Sequence, residues 1–294
     1  MEIVKYQPCD RTFLNQLLIK TTEGSQQLGY PRLHSYEELE KEYMEYPDSS
    51  ILSSVYILTH NANPIGIMGV LRDGNYAVLW GPTTLQSVYY EPAILLSVSF
   101  AKKVISKEFH VFVHDSNTVY STALEQLNSK LRSIQHVICF DWSKSTPLLP
   151  DCKNIVCLSS KQLEKSQKMI DCTMNLLEEG FPHLDDANDL ITELLHPKCN
   201  FIYYISSGTP LGVLIENDNF IHEVRIEYLA VSKAHRRLGI ATKMLRYLLQ
   251  RVHNTYGLYN VNLTHDNDNL IAHSVYLKNG FVDDTIYKEF IISC

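Results

Sequence analysis

Several features that define other classes of protein are missing from this chain of 294 residues. It has no run of about eighteen apolar residues, so the sequence predicts no membrane-spanning helix. The segment Met1–Lys5 does not have the pattern of a secretory signal peptide. With 12 glycines and 11 prolines, the composition is not that of a linker-rich or disordered chain. The absences favour a globular protein of one large or two ordinary domains.

The chain also lacks paired cysteines, metal-ligand clusters and an excess of positive charge. Its seven cysteines are odd in number and scattered, which predicts reduced thiols and a cytoplasmic location. His265 and His273 have no partners at zinc-ligand spacing, so we expect no metal site. The net charge of −7 is shared almost evenly between the halves, and neither half has the basic surface that nucleic acid binding needs.

A strand, a basic turn and a helix start follow one another in the C-terminal half. Val224–Val231 is rich in β-branched residues and reads as a buried strand, and Thr242–Val252 has apolar residues at helical spacing. The turn between them contains basic and small residues: Arg236, Arg237, Gly239 and Ala241. Backbone N–H groups converge at such a turn, and Gly239 allows a close approach. The pattern indicates a phosphate site; the alternative is an ordinary connection with a solvated basic turn.

A second block follows about thirty residues later. Asn269 and Tyr276 are seven positions apart, which predicts that they share one helix face, with Ala272 between them leaving room. Asn279-Gly280 is a helix-ending signal, and Phe281 begins a final strand.

Together the two blocks read as a strand, R-x-x-G-x-A, a helix, a strand and N-x-x-A-x-x-x-Y-x-x-x-G-F. This order resembles the GCN5-related N-acetyltransferase (GNAT) superfamily. The resemblance implies acetyl-CoA as co-substrate and an amine acceptor. It also implies a set of cofactor contacts: Leu229, Ala230 and Val231 along the pantetheine arm, Arg236, Arg237, Leu238, Gly239, Ile240, Ala241 and Thr242 around the pyrophosphate, and Asn269, Ala272 and Tyr276 on the other side.

The resemblance further implies direct attack of the amine on the thioester. A general base must first take a proton from the amine, since a free alkylamine of pKa ~10.4 is mostly charged at neutral pH. Glu227 is the first candidate; Glu223, which has the same strand parity, and a water chain are the alternatives. Tyr276 would protonate the departing thiolate, and the backbone N–H of Val231 would hold the oxyanion.

The two halves have matching landmarks that suggest a duplicated domain. Asn63–Ile67 and Thr209–Val213 sit in similar hairpins, with Pro64 and Pro210 separated by 146 positions. With coincidence as the alternative, we expect a mixed α/β fold of two tandem GNAT-like domains, 1–145 and 153–294. Each would have a mostly antiparallel, twisted sheet flanked by helices.

The halves differ in the residues that would carry the chemistry. After its third strand the first half has Trp80–Thr84 in place of R-x-x-G-x-A, and Pro82 removes a backbone donor. Tyr120 lies too near the start of its helix to match Tyr276. We therefore expect 1–145 to be degenerate, without a cofactor site, and 153–294 to be catalytic.

Some questions stay open at this stage. A non-catalytic acyl-CoA sensor is the alternative function, and a longer acyl chain is a further possibility. The sequence identifies neither the amine nor the oligomeric state, monomer or homodimer. Gly24–Tyr36 could cover the amine site as a lid.

Overall fold

The computed structural model describes the chain apart from residues 22–25, 27–28, 30–32, 45, 47, 74–75, 106, 145–152, 183–186, 196–198 and 221–222. The chain forms two compact units, residues 1–136 with 285–294 (unit 1) and residues 137–284 (unit 2). Within the part of the chain described, no helix combines the length and hydropathy that crossing a membrane would require.

Unit 1 contains a sheet with helices on both faces. Its strands are β1 (Glu2–Lys5), β2 (Val55–His60), β3 (Asn63–Asp73), β4 (Tyr76–Thr84), β5 (Glu108–His114) and the first part of β6 (Lys130–Phe140). Its helices are α1 (Arg11–Lys20), α2 (Tyr36–Met44), α3 (Ile51–Ser54), α4 (Tyr90–Val104) and α5 (Thr118–Gln126). The strands β1 to β4 are neighbours in chain order and antiparallel, and β5 runs parallel to β4.

Unit 2 repeats this plan. Its strands are β7 (Ile155–Ser159), β8 (Cys199–Ser206), β9 (Thr209–Phe220), β10 (Glu223–Val231) and β11 (Asn260–Asp266). Its helices are α6 (Ser160–Leu163), α7 (Gln167–Gly180), α8 (Ala187–Leu194), α9 (Ile240–Tyr256) and α10 (Leu270–Lys278). The strands β7 to β10 are antiparallel neighbours, and β11 runs parallel to β10. The predicted fold, a mixed sheet with flanking helices in two similar halves, is confirmed.

Each face of the unit 2 sheet is covered by a helix whose apolar residues recur at helical spacing. On one face, α9 buries a stripe that recurs every three or four positions: Met244, Leu245, Leu248, Leu249 and Val252. On the other face, Leu176 and Leu177 of α7 pack against Phe201 and Val213. Since burying a leucine-sized side chain contributes about 1.5–3 kcal/mol, these stripes fix both helices against the strands.

The last strand of unit 1 comes from the C-terminal end of the chain. Strand β12 (Phe281–Ser293) pairs antiparallel with β5, from Tyr287 opposite His114 to Ser293 opposite Glu108. In unit 2 the end of β6 lies beside β11 in the corresponding place. The compact units are therefore interleaved in sequence, unlike the contiguous predicted ranges 1–145 and 153–294. The prediction that the first range is degenerate and the second catalytic stays a prediction. The segment between them, residues 146–152, lies outside the described residues.

Some element boundaries predicted from the sequence were wrong. The sequence predicts a helix over Val119–Arg132, but α5 ends at Gln126, because Asn128 takes a left-handed conformation (φ 56°) and β6 begins at Lys130. It also predicts a helical opening over Ser160–Glu179, which is interrupted after Leu163 and resumes at Gln167. The short strands β1 and β7 were missed altogether. The proposed lid, Gly24–Tyr36, lies mostly outside the described residues.

Candidate functional site

The sheet of unit 2 splits between β10 and β11. Their parallel pairing extends only from Glu223 opposite Asn260 to Ile226 opposite Leu263. Strand β10 nevertheless continues to Val231, paired on its other side with β9 up to Gly212. The pairing with β11 thus ends before Leu229–Val231, and the backbone of these residues on that edge is available to an extended ligand.

A β-bulge lies where the split begins. The register of β10 against β9 shifts between Ile226 and Tyr228, which makes Glu227 the extra residue. Val224 and Ile226 pack in the same core as Leu229 and Val231, so the side-chain alternation changes phase across the bulge. The prediction that Glu223 and Glu227 share a strand face by parity stays a prediction, because Glu227 is itself the extra residue of the bulge.

The two glutamates lie in different surroundings. Glu223 is partly buried and accepts a hydrogen bond of 2.6 Å from Nε of Arg225. Glu227 is exposed. The guanidinium of Arg225 occupies a carboxylate oxygen of Glu223 that a general base would need, which limits Glu223 as a proton acceptor.

The turn after β10 presents backbone N–H groups at the start of α9. Arg237 and Gly239 both take left-handed conformations, with φ of 64° and 76°. Gly239 is the N-cap, and the first hydrogen bond of the helix runs from the N–H of Lys243 to the carbonyl oxygen of Gly239 at 3.0 Å. The N–H groups of residues 240–242 thus lie ahead of the first helical bond and have no acceptor within the helix. A Cβ placed on Gly239 would meet nothing within 4 Å, so the space beside this residue of the turn is open.

Arg236 has a structural role in this turn. Its Nε donates to the carbonyl of Val231 at 3.1 Å, and its Nη2 donates to the carbonyl of Glu179 at 3.3 Å. The N–H of Lys233 donates to the Glu179 carboxylate at 3.1 Å. These bonds join the ends of β10 and α7 to the turn, whereas the neighbouring Arg237 is exposed.

The helix α10 differs from the prediction at its start. Asn269 is the N-cap and its Oδ1 accepts the N–H of Ala272 at 3.2 Å, so the helix begins at Leu270. Asn269 therefore does not share a helix face with Tyr276 over two full turns. The reason is chemical: the asparagine side chain satisfies an N–H group that has no partner inside the helix.

Tyr276 is buried, with 7% of its surface exposed. Its ring lies edge-on to Phe281, with centroids 5.8 Å apart, and is stacked with His265 at 6.2 Å. Desolvation by burial raises the pKa of the phenol above its ordinary value. The hydroxyl therefore keeps its proton at neutral pH and can donate it.

Two contacts near Tyr276 were not foreseen. Asn279 Nδ2 donates to Thr242 Oγ1 at 3.2 Å and to the carbonyl of Val275 at 2.8 Å, which ties the end of α10 to the first turn of α9. His265 Nε2 and His273 Nδ1 are 3.0 Å apart. Their spacing in sequence concealed this proximity because one lies on a strand and the other on the next helix. The absence of a metal from the chemistry stays a prediction.

The comparisons with known proteins agree with this geometry. Residues 167–281 match the model of the acetyltransferase (GNAT) family. Among curated protein sequences, none is significantly similar to this chain. Three solved structures share the fold over nearly the whole chain. The first is a GCN5-related N-acetyltransferase from Sphaerobacter thermophilus, which is 14% identical in sequence and has a TM-score of 0.72. The alignment covers 99% of this chain and 95% of that protein.

The other two are similar in extent. A tandem GNAT protein from the clavulanic acid biosynthesis pathway has 12% identity and a TM-score of 0.65, with 99% of this chain and 98% of that one covered. A GNAT-family acetyltransferase from Colwellia psychrerythraea has 14% identity and a TM-score of 0.60, with 99% and 100% covered. The C-terminal part of the chain is thus a domain of the GNAT acetyltransferase family. The chain as a whole has the tandem GNAT fold.

Proposed function

We propose that this protein is an N-acetyltransferase that moves an acetyl group from acetyl-CoA to a primary amine by direct attack in a ternary complex. The reaction takes place in the C-terminal GNAT domain. One observation carries the proposal: the split between β10 and β11 leads directly to an open, N–H-rich turn at the start of α9. An extended thiol arm and a pyrophosphate need these two features side by side.

The residues present fit acetyl-CoA. The N–H groups of residues 240–242 and the exposed guanidinium of Arg237 are donors for the pyrophosphate oxygens. The unpaired edge of Leu229–Val231 can bond the amides of the pantetheine arm. Asn269 and Ala272, at the start of α10, would border the arm on its other side.

The proton of the amine is the first obstacle to attack. We assign its removal to Glu227, because the bulge exposes this carboxylate and because Arg225 holds the carboxylate of Glu223. A water molecule between Glu227 and the amine would serve the same purpose.

Collapse of the tetrahedral intermediate releases a thiolate. Tyr276 would donate its proton to the sulfur, in keeping with a buried phenol that stays neutral. The backbone N–H of Val231, at the end of the split strand, would stabilise the oxyanion. The acceptor is a primary amine, and the scattered cysteines favour a reducing, cytoplasmic setting.

The decisive experiment is calorimetric titration of acetyl-CoA into the purified protein and two glycine variants. Gly239→Glu puts a negative side chain into the turn at the start of α9. Gly208→Glu is the matched control, because Gly208 has almost the same φ, 77° against 76°, and likewise has nothing within 4 Å of its Cβ position. Both variants carry a similar backbone strain, and only the first one obstructs the proposed site.

We expect one acetyl-CoA per chain for the unaltered protein and for Gly208→Glu, and no binding to Gly239→Glu. A thiol-release assay with a panel of primary amines would then identify the acceptor. If the unaltered protein does not bind acetyl-CoA, the proposal is wrong. Binding without turnover for any amine would instead support a non-catalytic acyl-CoA sensor.

A further inference from the structure

A second candidate binding site lies wholly within unit 1. It is a pocket of about 610 Å³ between the start of α1, the helices α2 and α3, and the loop that joins them. This volume is in the usual range for small-molecule sites, about 300–1,000 Å³. Its walls include four tyrosines and two side chains of opposite charge: Tyr6, Tyr36, Tyr43, Tyr46, Arg11 and Glu40.

The walls of the pocket are held by hydrogen bonds, so the site is formed before any ligand arrives. The N–H of Tyr36 donates to Asn15 Oδ1 at 2.9 Å, which fixes α2 against α1. At the other end of α2, the Tyr43 hydroxyl donates to the carbonyl of Ser54 at 3.3 Å. The hydroxyl oxygen of Ser49 accepts the N–H of Arg72 at 2.7 Å, which anchors the joining loop to β3. A preformed site loses little conformational entropy on binding.

Arg11 is placed to receive a carboxylate. Its Cζ lies 4.1 Å above the ring of Tyr36, so the ring covers one face of the guanidinium and leaves its edge N–H groups free to donate. Among the described residues, no carboxylate makes an ion pair with Arg11. A planar guanidinium edge of this kind matches the two oxygens of a carboxylate.

The remaining walls supply an opposite charge and apolar surface. Burial, and then a hydrogen bond with Tyr36, raise the pKa of Tyr6 to about 12, so its hydroxyl is neutral and adds no negative charge beside Arg11. Glu40 is exposed on α2 and carries the only carboxylate among the lining residues. Met44 and Leu52 also line the pocket and are 74% and 58% exposed, a large apolar surface for two residues beside a cavity.

We propose that this pocket binds a small zwitterion with an apolar body, such as a hydrophobic amino acid or dipeptide. The carboxylate of the ligand pairs with Arg11 and its ammonium with Glu40, while its side chains pack on the tyrosines and on Met44 and Leu52. The site gives unit 1 a ligand of its own, independent of acetyl transfer in unit 2.

The test uses the full chain and three forms of the dipeptide Leu-Phe: free, N-acetylated and C-amidated. Each form is titrated by calorimetry into the unaltered protein, Arg11→Gln, Glu40→Gln and the control Glu37→Gln, which alters an exposed glutamate of α2 outside the pocket. Both pocket residues are exposed, so neither variant is expected to disturb folding. Binding of the dipeptide as an acetyl acceptor in unit 2 would not respond to Arg11→Gln or Glu40→Gln, so these two variants also recognise it separately.

We expect one free dipeptide per chain, with affinity reduced roughly tenfold or more by Arg11→Gln and by Glu40→Gln, as for the loss of a charge-assisted hydrogen bond. Glu37→Gln should bind as the unaltered protein does. Amidation of the dipeptide should weaken binding to the unaltered protein but not to Arg11→Gln. Acetylation of the dipeptide should likewise weaken binding to the unaltered protein but not to Glu40→Gln. No binding of the free dipeptide at millimolar concentration, or binding that Arg11→Gln and Glu40→Gln leave unchanged, overturns the proposal.

Discussion

At the scale of single residues, Tyr276 combines a polar hydroxyl with an apolar environment. Its ring packs on Phe281 and His265, and burial raises its pKa, so the phenol is a neutral proton donor. Tyr276→Phe keeps the ring and removes only the hydroxyl group that carries the proton. We expect turnover to fall roughly a hundredfold or more, the usual effect of losing a positioned acid, with acetyl-CoA affinity retained. Thiol-release kinetics and calorimetry measure the two quantities.

A matched control for this variant is Tyr203→Phe. Tyr203 is fully buried in unit 2 and shares a hydrogen bond of 2.7 Å with Thr173, on the opposite face of the sheet from α9. Its replacement should cost about 1 kcal/mol of stability and leave turnover unchanged. Equal losses of turnover in both variants would mean that Tyr276 acts through packing alone.

The two glutamates of β10 allow a second prediction at this scale. Because Glu227 is exposed at the bulge and Glu223 is held by Arg225, we expect Glu227→Gln to lower kcat at neutral pH by about a hundredfold. Part of that loss should be recovered at high pH, where more of the amine is unprotonated. Glu223→Gln should keep kcat near its original value. Rate profiles from pH 6 to pH 10 test both, and the reverse ranking would transfer the role of base to Glu223.

At the scale of elements, the position of α9 depends on one small residue in β9. A Cβ on Gly212 would lie 2.9 Å from Met244 Cε, 3.0 Å from Ile240 Cγ2 and 3.2 Å from the carbonyl oxygen of Ala230. Glycine thus allows the first turn of α9 to approach the strands closely, which sets where the N–H groups of residues 240–242 point. The extra methyl group of an alanine forces the side chains of Met244 and Ile240 to give way and so crowds the first turn of α9.

Gly212→Ala should therefore destabilise the protein by about 1–3 kcal/mol, as overpacking does, and weaken acetyl-CoA binding. Urea unfolding and calorimetry give the two values. Gly208→Ala is the control: it costs about 1–2 kcal/mol of backbone strain in an open turn and should leave binding intact. Unchanged acetyl-CoA affinity in Gly212→Ala would contradict a link between helix position and the site.

The sequence predicted well those elements whose pattern is long and locally consistent. The strand β10 and the helix α9 were identified by β-branched residues and a five-member apolar stripe, although β10 begins one residue before Val224 and α9 extends beyond Thr242–Val252 at both ends. The position of the open turn followed from Gly239. The bulge at Glu227, the capping by Asn269 and the engagement of Arg236 were missed. The bulge depends on pairing with a neighbouring strand, and the other two depend on bonds between a side chain and the backbone; side-chain periodicity encodes none of these.

At the scale of the molecule, the exchange of closing strands was also invisible in the sequence. Strands β6 and β12 have the same local character, so nothing in either one shows which sheet it joins. In unit 1, the Glu289 carboxylate of β12 is buried beside His110 of β5, at 2.7 Å, and accepts from Arg132 at 3.2 Å and Ser133 at 2.7 Å. This cluster fixes the C-terminal strand in the N-terminal unit.

The cluster predicts a pH dependence. Burial alone would raise the pKa of Glu289, but hydrogen bonds from His110 and Ser133 and the charge of Arg132 outweigh it and hold the pKa below its ordinary value. A carboxylate whose pKa is lower in the folded than in the unfolded state stabilises the fold at pH values above its unfolded-state pKa. This stabilisation is lost as the pH falls through the folded-state pKa. Glu289→Gln should thus cost about 1–3 kcal/mol at pH 7, and this difference should shrink below roughly pH 4.5.

Tryptophan fluorescence during urea unfolding would measure this difference. The chain has two tryptophans, Trp80 in unit 1 and Trp142 in unit 2, so a Trp142→Phe background reports on unit 1 alone. Glu108→Gln, an exposed change on β5, is the control. A difference that does not vary between pH 7 and pH 4 would show that the charge of Glu289 contributes nothing.

The strand that completes unit 1 is made by the ribosome after the whole of unit 2. During translation, β5 must therefore wait for about 170 further residues before its antiparallel partner exists, a delay of roughly ten to thirty seconds at ordinary elongation rates. Throughout that interval its edge is open to wrong strands, including those of other nascent chains. A premature stop or a proteolytic cut near residue 285 would likewise damage the unit that was synthesised first.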